Sequence, residues 1–374
     1  MPGSLKGIER FFEGGGDGQA LPVKLSALFS SYGYKKYRMS RFEEYSLYAQ
    51  NFDFLAGSNV ITFGGADGKL LALRPDVTLS IAKNTKASLE RGEKLYYHES
   101  VYRQAHGNLG YEEIDQMGVE HIGRVDLLTI AEQVELILRS LRLLSDDYAL
   151  DISHSGLVHG MVSELKLDQR AKAEVYDCIK KKSVHAFAEL MKKEGVSDVS
   201  AAKVRRLIEL SGPIDEALAE LGTLISGEEA AEAYVQLTAL SHEVGRMGEG
   251  GRLRLDFSVF NHLDYYNGVI FNGFIKEYPK AVIVGGQYDK LLQKLGKNAQ
   301  ALGFAVNLGA APSGHKRALD AAIVYDESDG VFEVLDAAQK LREKGKSVYV
   351  GTTPPQEGAL KTYVFREGEL EEKK

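Results

Sequence analysis

The sequence predicts an α+β fold: an antiparallel sheet flanked by helices, with a helical insertion and a small C-terminal α/β domain. Three observations lead to it. Short apolar runs bounded by Gly-rich turns lie on both sides of a stretch from about 157 to 250 that is rich in Ala, Leu, Glu and Lys. Two of the longest runs, KLYYHESVYR and YEEIDQMGVEHIG, are joined by HGNLG, a turn that makes them antiparallel neighbours. After Pro312 the pattern changes to β-α-β-β.

Along the chain, Leu21, Leu25, Leu28 and Phe29 fall at helical spacing, and Gly33 closes that helix. NVITFGGADGKLLALRPD reads as a hairpin turning at Gly-Gly-Ala-Asp-Gly. A helix is expected from Thr78 to Arg91, with Leu79, Ile81 and Ala82 inward. DLLTIAEQVELILRSLRLL places Leu127, Ile130, Ala131, Val134, Ile137, Leu138 and Leu141 on one face of a long amphipathic helix. The insertion is interrupted at Ser-Gly-Pro 211–213 and Ser-Gly 226–227. Strand signals resume at RLRLDFSV, DYYNGVIFNGF and KAVIVGG. A helix follows at Tyr288–Leu295, and ALGFAVNL reads as either an apolar strand or a helix. The expected domains are residues 1–312, with the insertion at about 157–250, and 313–374. The tail GELEEKK is expected to be frayed.

Composition is that of a globular chain of 374 residues, 44% hydrophobic and 26% charged. No segment approaches eighteen consecutive apolar residues and the start has no apolar signal-peptide core, so a cytoplasmic protein with no membrane partner is expected. Cys178 is a single cysteine in a helical run and reads as an ordinary helix residue. The net charge of −7 argues against a surface devoted to nucleic acid. Lys340, Arg342, Lys344 and Lys346 read as a solvated helix end. His98, His106, His121, His154, His159 and His262 show no metal-ligand spacing, and the glycines at 14–16 and 285–286 lack the Lys-Ser/Thr of a P-loop and read as turns. No metal or cofactor is expected.

Four segments, in order, carry a resemblance: LRPDVT, YRQAHGNLGYEEIDQMGVEHIG, LDYYNGVIF, and VGGQYDKLL with ALGFAVNLG. Together they resemble the signature segments of the histidyl-tRNA synthetases, and the resemblance spans about residues 20–312. It implies the class II aminoacyl-tRNA synthetase fold.

Free histidine carries an ammonium, a carboxylate and an imidazole, so a site for it needs acceptors and a hydroxyl. The resemblance places Asp76, Thr78 and Gln116 where the family binds the ammonium, and Glu120 and Tyr266 where it grips the imidazole nitrogens. Arg103, at the head of the second segment, and Tyr265 complete the candidate histidine-binding set. Strand alternation puts Gln116 and Glu120 on one face, and by the same rule only one of Tyr265 and Tyr266 lines the pocket. The bland alternative for these positions is a half-buried sheet with its polar face to solvent.

By the resemblance, Arg103 survives from the family's ATP-handling arginines and the others are missing. Ala105 replaces a glutamate, Glu112 stands about where a second arginine falls, and Asn261, Gln287 and Ala310 occupy three further arginine positions. Charge-assisted contacts are worth about 1.5–3 kcal/mol each, so losing three raises the adenylation barrier by roughly 5–9 kcal/mol. No catalytic residue is assigned. A synthetase-like chain that binds histidine without activating it is similar to the regulatory subunits of ATP phosphoribosyltransferase, which act in the first step of histidine biosynthesis. That resemblance implies a self-dimer that joins short-form catalytic subunits in a hetero-octamer and mediates histidine feedback. tRNA is not expected as a partner, because the region after Pro312 is smaller than the family's anticodon-binding domain. The alternatives are a divergent active synthetase and a stand-alone histidine-binding module.

Overall fold

A computed structural model describes residues 17–55, 60–104, 110–259, 265–310, 319–326, 328–355, 358–366 and 368–373. The chain separates into two compact units, Pro22–Ala311 and Pro312–Lys374 with Met1–Leu21.

Helix α1 (Asp17–Ser31) buries Leu25, Leu28 and Phe29 and ends at Gly33, whose φ of 83° only glycine adopts without strain. After β1 (Lys35–Lys36), β2 (Phe42–Glu44) and α2 (Tyr45–Ala49), the expected hairpin forms as β3 (Thr62–Gly64) and β4 (Leu70–Leu73). It makes a small sheet in the order β2-β4-β3. Helix α3 covers Thr78–Asn84 and stops short of the expected Arg91. Thr85 turns extended there, and its hydroxyl donates to Glu93 at 2.6 Å and accepts from the Ala87 amide at 3.1 Å. Lys297 Nζ then takes the carbonyls of Lys83 and Thr85 at 2.7 and 2.5 Å. Side-chain bonds of this kind outcompete another helical turn.

The long strands β5 (Glu93–Gln104) and β6 (Tyr111–Gly123) pair antiparallel, and α4 (Leu127–Leu144) follows, capped by Asp126. Its apolar stripe is buried except for Leu127. Strand β7 (Tyr148–His154) leads into the insertion: α5 (Ser155–Ser163), α6 (Gln169–Lys180), α7 (Val184–Lys193), α8 (Asp198–Glu209), β8 (Ser211–Pro213), α9 (Ile214–Leu221) and α10 (Glu228–Arg246). Cys178 is buried on α6. Ser211–Pro213, expected as a break, is an edge strand instead, a place where proline costs no ladder bond. The chain returns through β9 (Leu253–Asp256), β10 (Val269–Ile275), β11 (Ile283–Gln287), α11 (Asp289–Lys294) and β12 (Gln300–Asn307). ALGFAVNL is therefore strand, paired on both sides, which explains its continuous apolar run. Gly285 and Gly286 lie inside β11, not in a turn as expected.

The large sheet runs β1-β5-β6-β12-β11-β10-β7-β9-β8, with β5 to β7 antiparallel throughout. In the second unit, β13 (Ala321–Val324), α12 (Val331–Glu343), β14 (Val348–Gly351), β15 (Thr362–Arg366) and β16 (Glu369–Lys373) form a sheet in the order β14-β13-β15-β16. The tail expected to fray is β16. It turns back at Gly368, seats Leu370 against the small core and pairs Glu372 with Lys361 at 2.8 Å. The exposed edge of β15 supplies the ladder that this charged segment needed. Lys340, Arg342, Lys344 and Lys346 lie at the solvated end of α12. Among the described residues no helix is long and apolar enough to cross a membrane.

Candidate functional site

The centre of the large sheet floors a cavity of about 360 Å³. Alternation on β6 sends Gln116, Gly118 and Glu120 to the same face, and the opposing positions on β12 are Asn307, Ala305 and Gly303. Glycine is required at two of these. A Cβ on Gly118 would collide with Tyr97 and the Phe304 carbonyl, and one on Gly303 would collide with the Glu120 carboxylate. A Cβ on Gly286 would come within 2.7 Å of the Tyr266 ring. The glycines make the floor deep enough for large polar side chains to stand beside it.

Asp76, Thr78, Arg103, Gln116, Glu120, Tyr265 and Tyr266, predicted from dispersed segments, all line this one cavity. Asp76 precedes α3 and accepts from the Leu79 amide at 2.8 Å. Thr78, the first residue of α3, donates to Glu120 Oε1 at 2.8 Å. Glu120 is 2% exposed, and Tyr288 donates to its other oxygen at 2.5 Å. Arg103 Nε donates to the Pro75 carbonyl at 2.8 Å, and its guanidinium lies 3.8 Å from Asp76. Gln116 is buried, with no hydrogen bond from its amide to any described residue.

Burial pushes the Glu120 carboxyl up to about 8, with nearby Asp76 adding to the shift and the Tyr288 and Thr78 hydroxyls opposing it. Burial also raises Asp76, against the pull of Arg103. The phenols of Tyr97, Tyr265, Tyr266 and Tyr288 are all pushed up by burial and stay neutral.

The expectation that one of Tyr265 and Tyr266 faces away is corrected. Both line the cavity, with ring centroids 4.7 Å apart and planes at 86°. They sit in the turn before β10, where strand alternation does not apply. The sequence reading missed Tyr97 and Tyr288. Tyr288 follows the Gly-Gly pair in VGGQYDKLL, and paired glycines inside a strand were the available signal of a close approach. Tyr97 stands opposite Gly118 and shows no signal by itself. Arg74, in LRPDVT, is fully buried and structural: it donates to the Ser40 carbonyl, to Glu99 and to the Ser100 carbonyl.

Glu112 stands exposed opposite Arg103. Gln287 is buried and donates to Asp289 at 2.8 Å, and Ala310 is buried in a 3-10 turn. Ala105 and Asn261 lie outside the described residues, as do His106 and His262. Among the described residues lining the cavity, Arg103 is the single cationic side chain, against the carboxyls of Asp76 and Glu120. No group of three or more His, Cys, Asp or Glu side chains gathers as a metal site among the described residues. The cavity suits a small molecule with several hydrogen-bond donors and is poorly matched to a triphosphate.

Fold and site together define a class II aminoacyl-tRNA synthetase-type core. The family model described as histidyl-tRNA synthetase matches residues 18–311. A relative from Caldanaerobacter subterraneus subsp. tengcongensis, described as an ATP phosphoribosyltransferase regulatory subunit, is 31% identical over 76% of this chain and 75% of its own length. The crystal structure of an ATP phosphoribosyltransferase regulatory subunit/histidyl-tRNA synthetase from Bacillus halodurans superposes with a TM-score of 0.76 at 24% identity. That match covers 90% of this chain and 88% of the other. A HisG:HisZ complex of ATP phosphoribosyl transferase from Thermotoga maritima shares the fold at a TM-score of 0.62 and 17% identity, over 78% of this chain and 97% of that one. The chain belongs to the histidyl-tRNA synthetase family and, within it, to the ATP phosphoribosyltransferase regulatory subunits.

Proposed function

We propose that this chain is a regulatory subunit of ATP phosphoribosyltransferase that binds histidine in the cavity around Glu120 and has no adenylation activity of its own. The observation that carries this is the imbalance of the cavity: its hydrogen-bonding groups converge, while its described lining offers one cation already set beside Asp76. Asp76, Thr78 and Gln116 receive the ammonium, Glu120 and Tyr266 the imidazole nitrogens, and Tyr265 packs against the ring. Arg103 is the cation available to the carboxylate. Adenylation needs several fixed cations around the triphosphate, and this lining has too few.

The names of the relatives support a role beside a catalytic subunit, and the Thermotoga neighbour is itself a two-component complex. In this reading the chain works in the cytoplasm as a self-dimer that joins short-form catalytic subunits in a hetero-octamer. Occupancy of the pocket biases the assembly when histidine binds its states unequally. The net charge of −7 gives no general support for tRNA binding.

The test has two arms. Histidine is titrated calorimetrically into the chain and then supplied with ATP in a pyrophosphate-exchange assay; binding without exchange is expected, and robust exchange would falsify the regulatory reading. In the second arm the chain is co-purified with a short-form catalytic subunit, whose activity should depend on it and fall with added histidine.

A further inference from the structure

The helical insertion reaches the wall of the cavity through an ion pair. Lys182, just past the end of α6, holds φ at 50°, a left-handed conformation that helix ends ordinarily give to glycine. Its amide donates to the Ile179 carbonyl at 3.1 Å, and the Ser183 amide donates to the Cys178 carbonyl at 2.9 Å. That is the usual glycine closure of a helix, built here on a lysine. The backbone favours glycine, and the Lys182 side chain offsets this by leaving the insertion to donate to Asp256 Oδ2 at 2.6 Å.

Asp256 ends β9 and is buried, and its other oxygen accepts from the amide and the hydroxyl of Ser258 at 2.8 and 2.7 Å. These bonds cap the 3-10 turn Phe257–Val259. The turn packs against α6 and α8 of the insertion and against β7 and β10 of the large sheet, and its last residue, Val259, lines the cavity with Tyr265 and Tyr266. Lys182 is thus two side chains away from the wall. The charges around the pair make it sensitive to removal: Asp151 and Arg254 are paired across β7 and β9 at 3.4 Å, and alternation puts Asp256 on the face of Arg254. Burial raises the Asp151 carboxyl to about 6, with Arg254 opposing, Asp256 adding to the rise and Lys182 opposing it. Without Lys182, two buried carboxylates share Arg254, and Asp256 loses the partner that compensates its burial.

We propose that Lys182 is a positioning residue for the cavity: through Asp256 and the turn that Asp256 caps, it holds Val259 in the wall and so couples the placement of the insertion to ligand affinity. The inference deepens the reading of histidine binding at Glu120 and rests on it for the identity of the ligand. A partner that grips the insertion then changes occupancy of the cavity, and occupancy changes the grip by the same factor.

Calorimetry on the full chain compares histidine binding in Lys182→Gly, Lys182→Arg and Lys181→Ala. Glycine suits the φ of 50°, so Lys182→Gly should keep a thermal midpoint near that of the unaltered chain while binding histidine about tenfold more weakly. Lys182→Arg keeps the charge and should recover most of the affinity. Lys181→Ala loses an exposed pair with Asp177 and should bind as the unaltered chain does. Undiminished affinity in Lys182→Gly, or a loss that Lys182→Arg leaves in place, overturns the coupling. Failure of free histidine to bind the unaltered chain is a separate result that sinks the reading at Glu120. In that case the Val259 methyl signals, identified by their loss in Val259→Ala, are followed by NMR without ligand. Lys182→Gly should shift them and Lys181→Ala should not; stationary signals in Lys182→Gly overturn the positioning role independently.

Discussion

Tyr288 donates its phenol to Glu120 at 2.5 Å across the base of the cavity, from the end of β11 to the middle of β6. Together with Thr78 on the other oxygen, this fixes the Glu120 carboxyl in one orientation.

Tyr288→Phe removes one donor from a carboxyl that is 2% exposed. Below about pH 8 the carboxyl is protonated, and a hydrogen bond to a neutral group is worth about 0.5–1.5 kcal/mol, so histidine affinity should fall on the order of 2- to 12-fold. Calorimetry reads the loss, and an unchanged affinity would show that Glu120 does not depend on this phenol to meet the ligand.

The carboxyl of Glu120 is raised to about 8 from an ordinary value of 4.5, mainly by burial. Between those values the folded chain holds a proton that the unfolded chain has lost, so this group makes stability fall as pH rises. Its contribution is complete below about 4.5 and is lost as pH passes through about 8. Urea unfolding across this range should show the decline, and Glu120→Gln should flatten it. An equal slope in both proteins would place the titration elsewhere.

Gly303→Ala drives a Cβ into the Glu120 carboxylate and to 2.5 Å from the Val119 carbonyl. The backbone carbonyl cannot rotate away, so the sheet must shift. Overpacking of this kind costs about 1–3 kcal/mol, and histidine binding should weaken more than the unfolding midpoint suggests, because the displaced atom is the ligand's partner. Thermal unfolding and calorimetry on the same sample separate the two effects.

Arg103 opposes the burial that raises Asp76. Arg103→Gln should raise the Asp76 carboxyl further and reduce affinity for histidine about tenfold, the loss shrinking as pH rises and Asp76 ionises. A loss independent of pH would show that Arg103 acts on the ligand carboxylate alone and does not work through Asp76.

Much of the site was legible because its residues stand in short segments with fixed local geometry. Gln116 and Glu120 share a face by alternation alone, and the hairpin at β3 and β4 follows from its glycines. Tyr265 and Tyr266 were misread for the same reason, since alternation was extended into a turn. Tyr97 and Arg74 gave no local sign, because their partners Gly118 and Glu99 are distant in sequence. The last strand was missed because GELEEKK has no apolar alternation, and only the open edge of β15 makes it a strand.

The sequence alone determined the periodicities and the order of the four family-like segments. Local spacing and side-chain type set those features. Tertiary structure decided which groups meet: that Tyr288 and Thr78 hold the two oxygens of Glu120, and that both Tyr265 and Tyr266 face inward. Proton affinity and hydrogen-bond satisfaction depend on burial and on partners from other strands, and those quantities exist only once the sheet has closed over its floor.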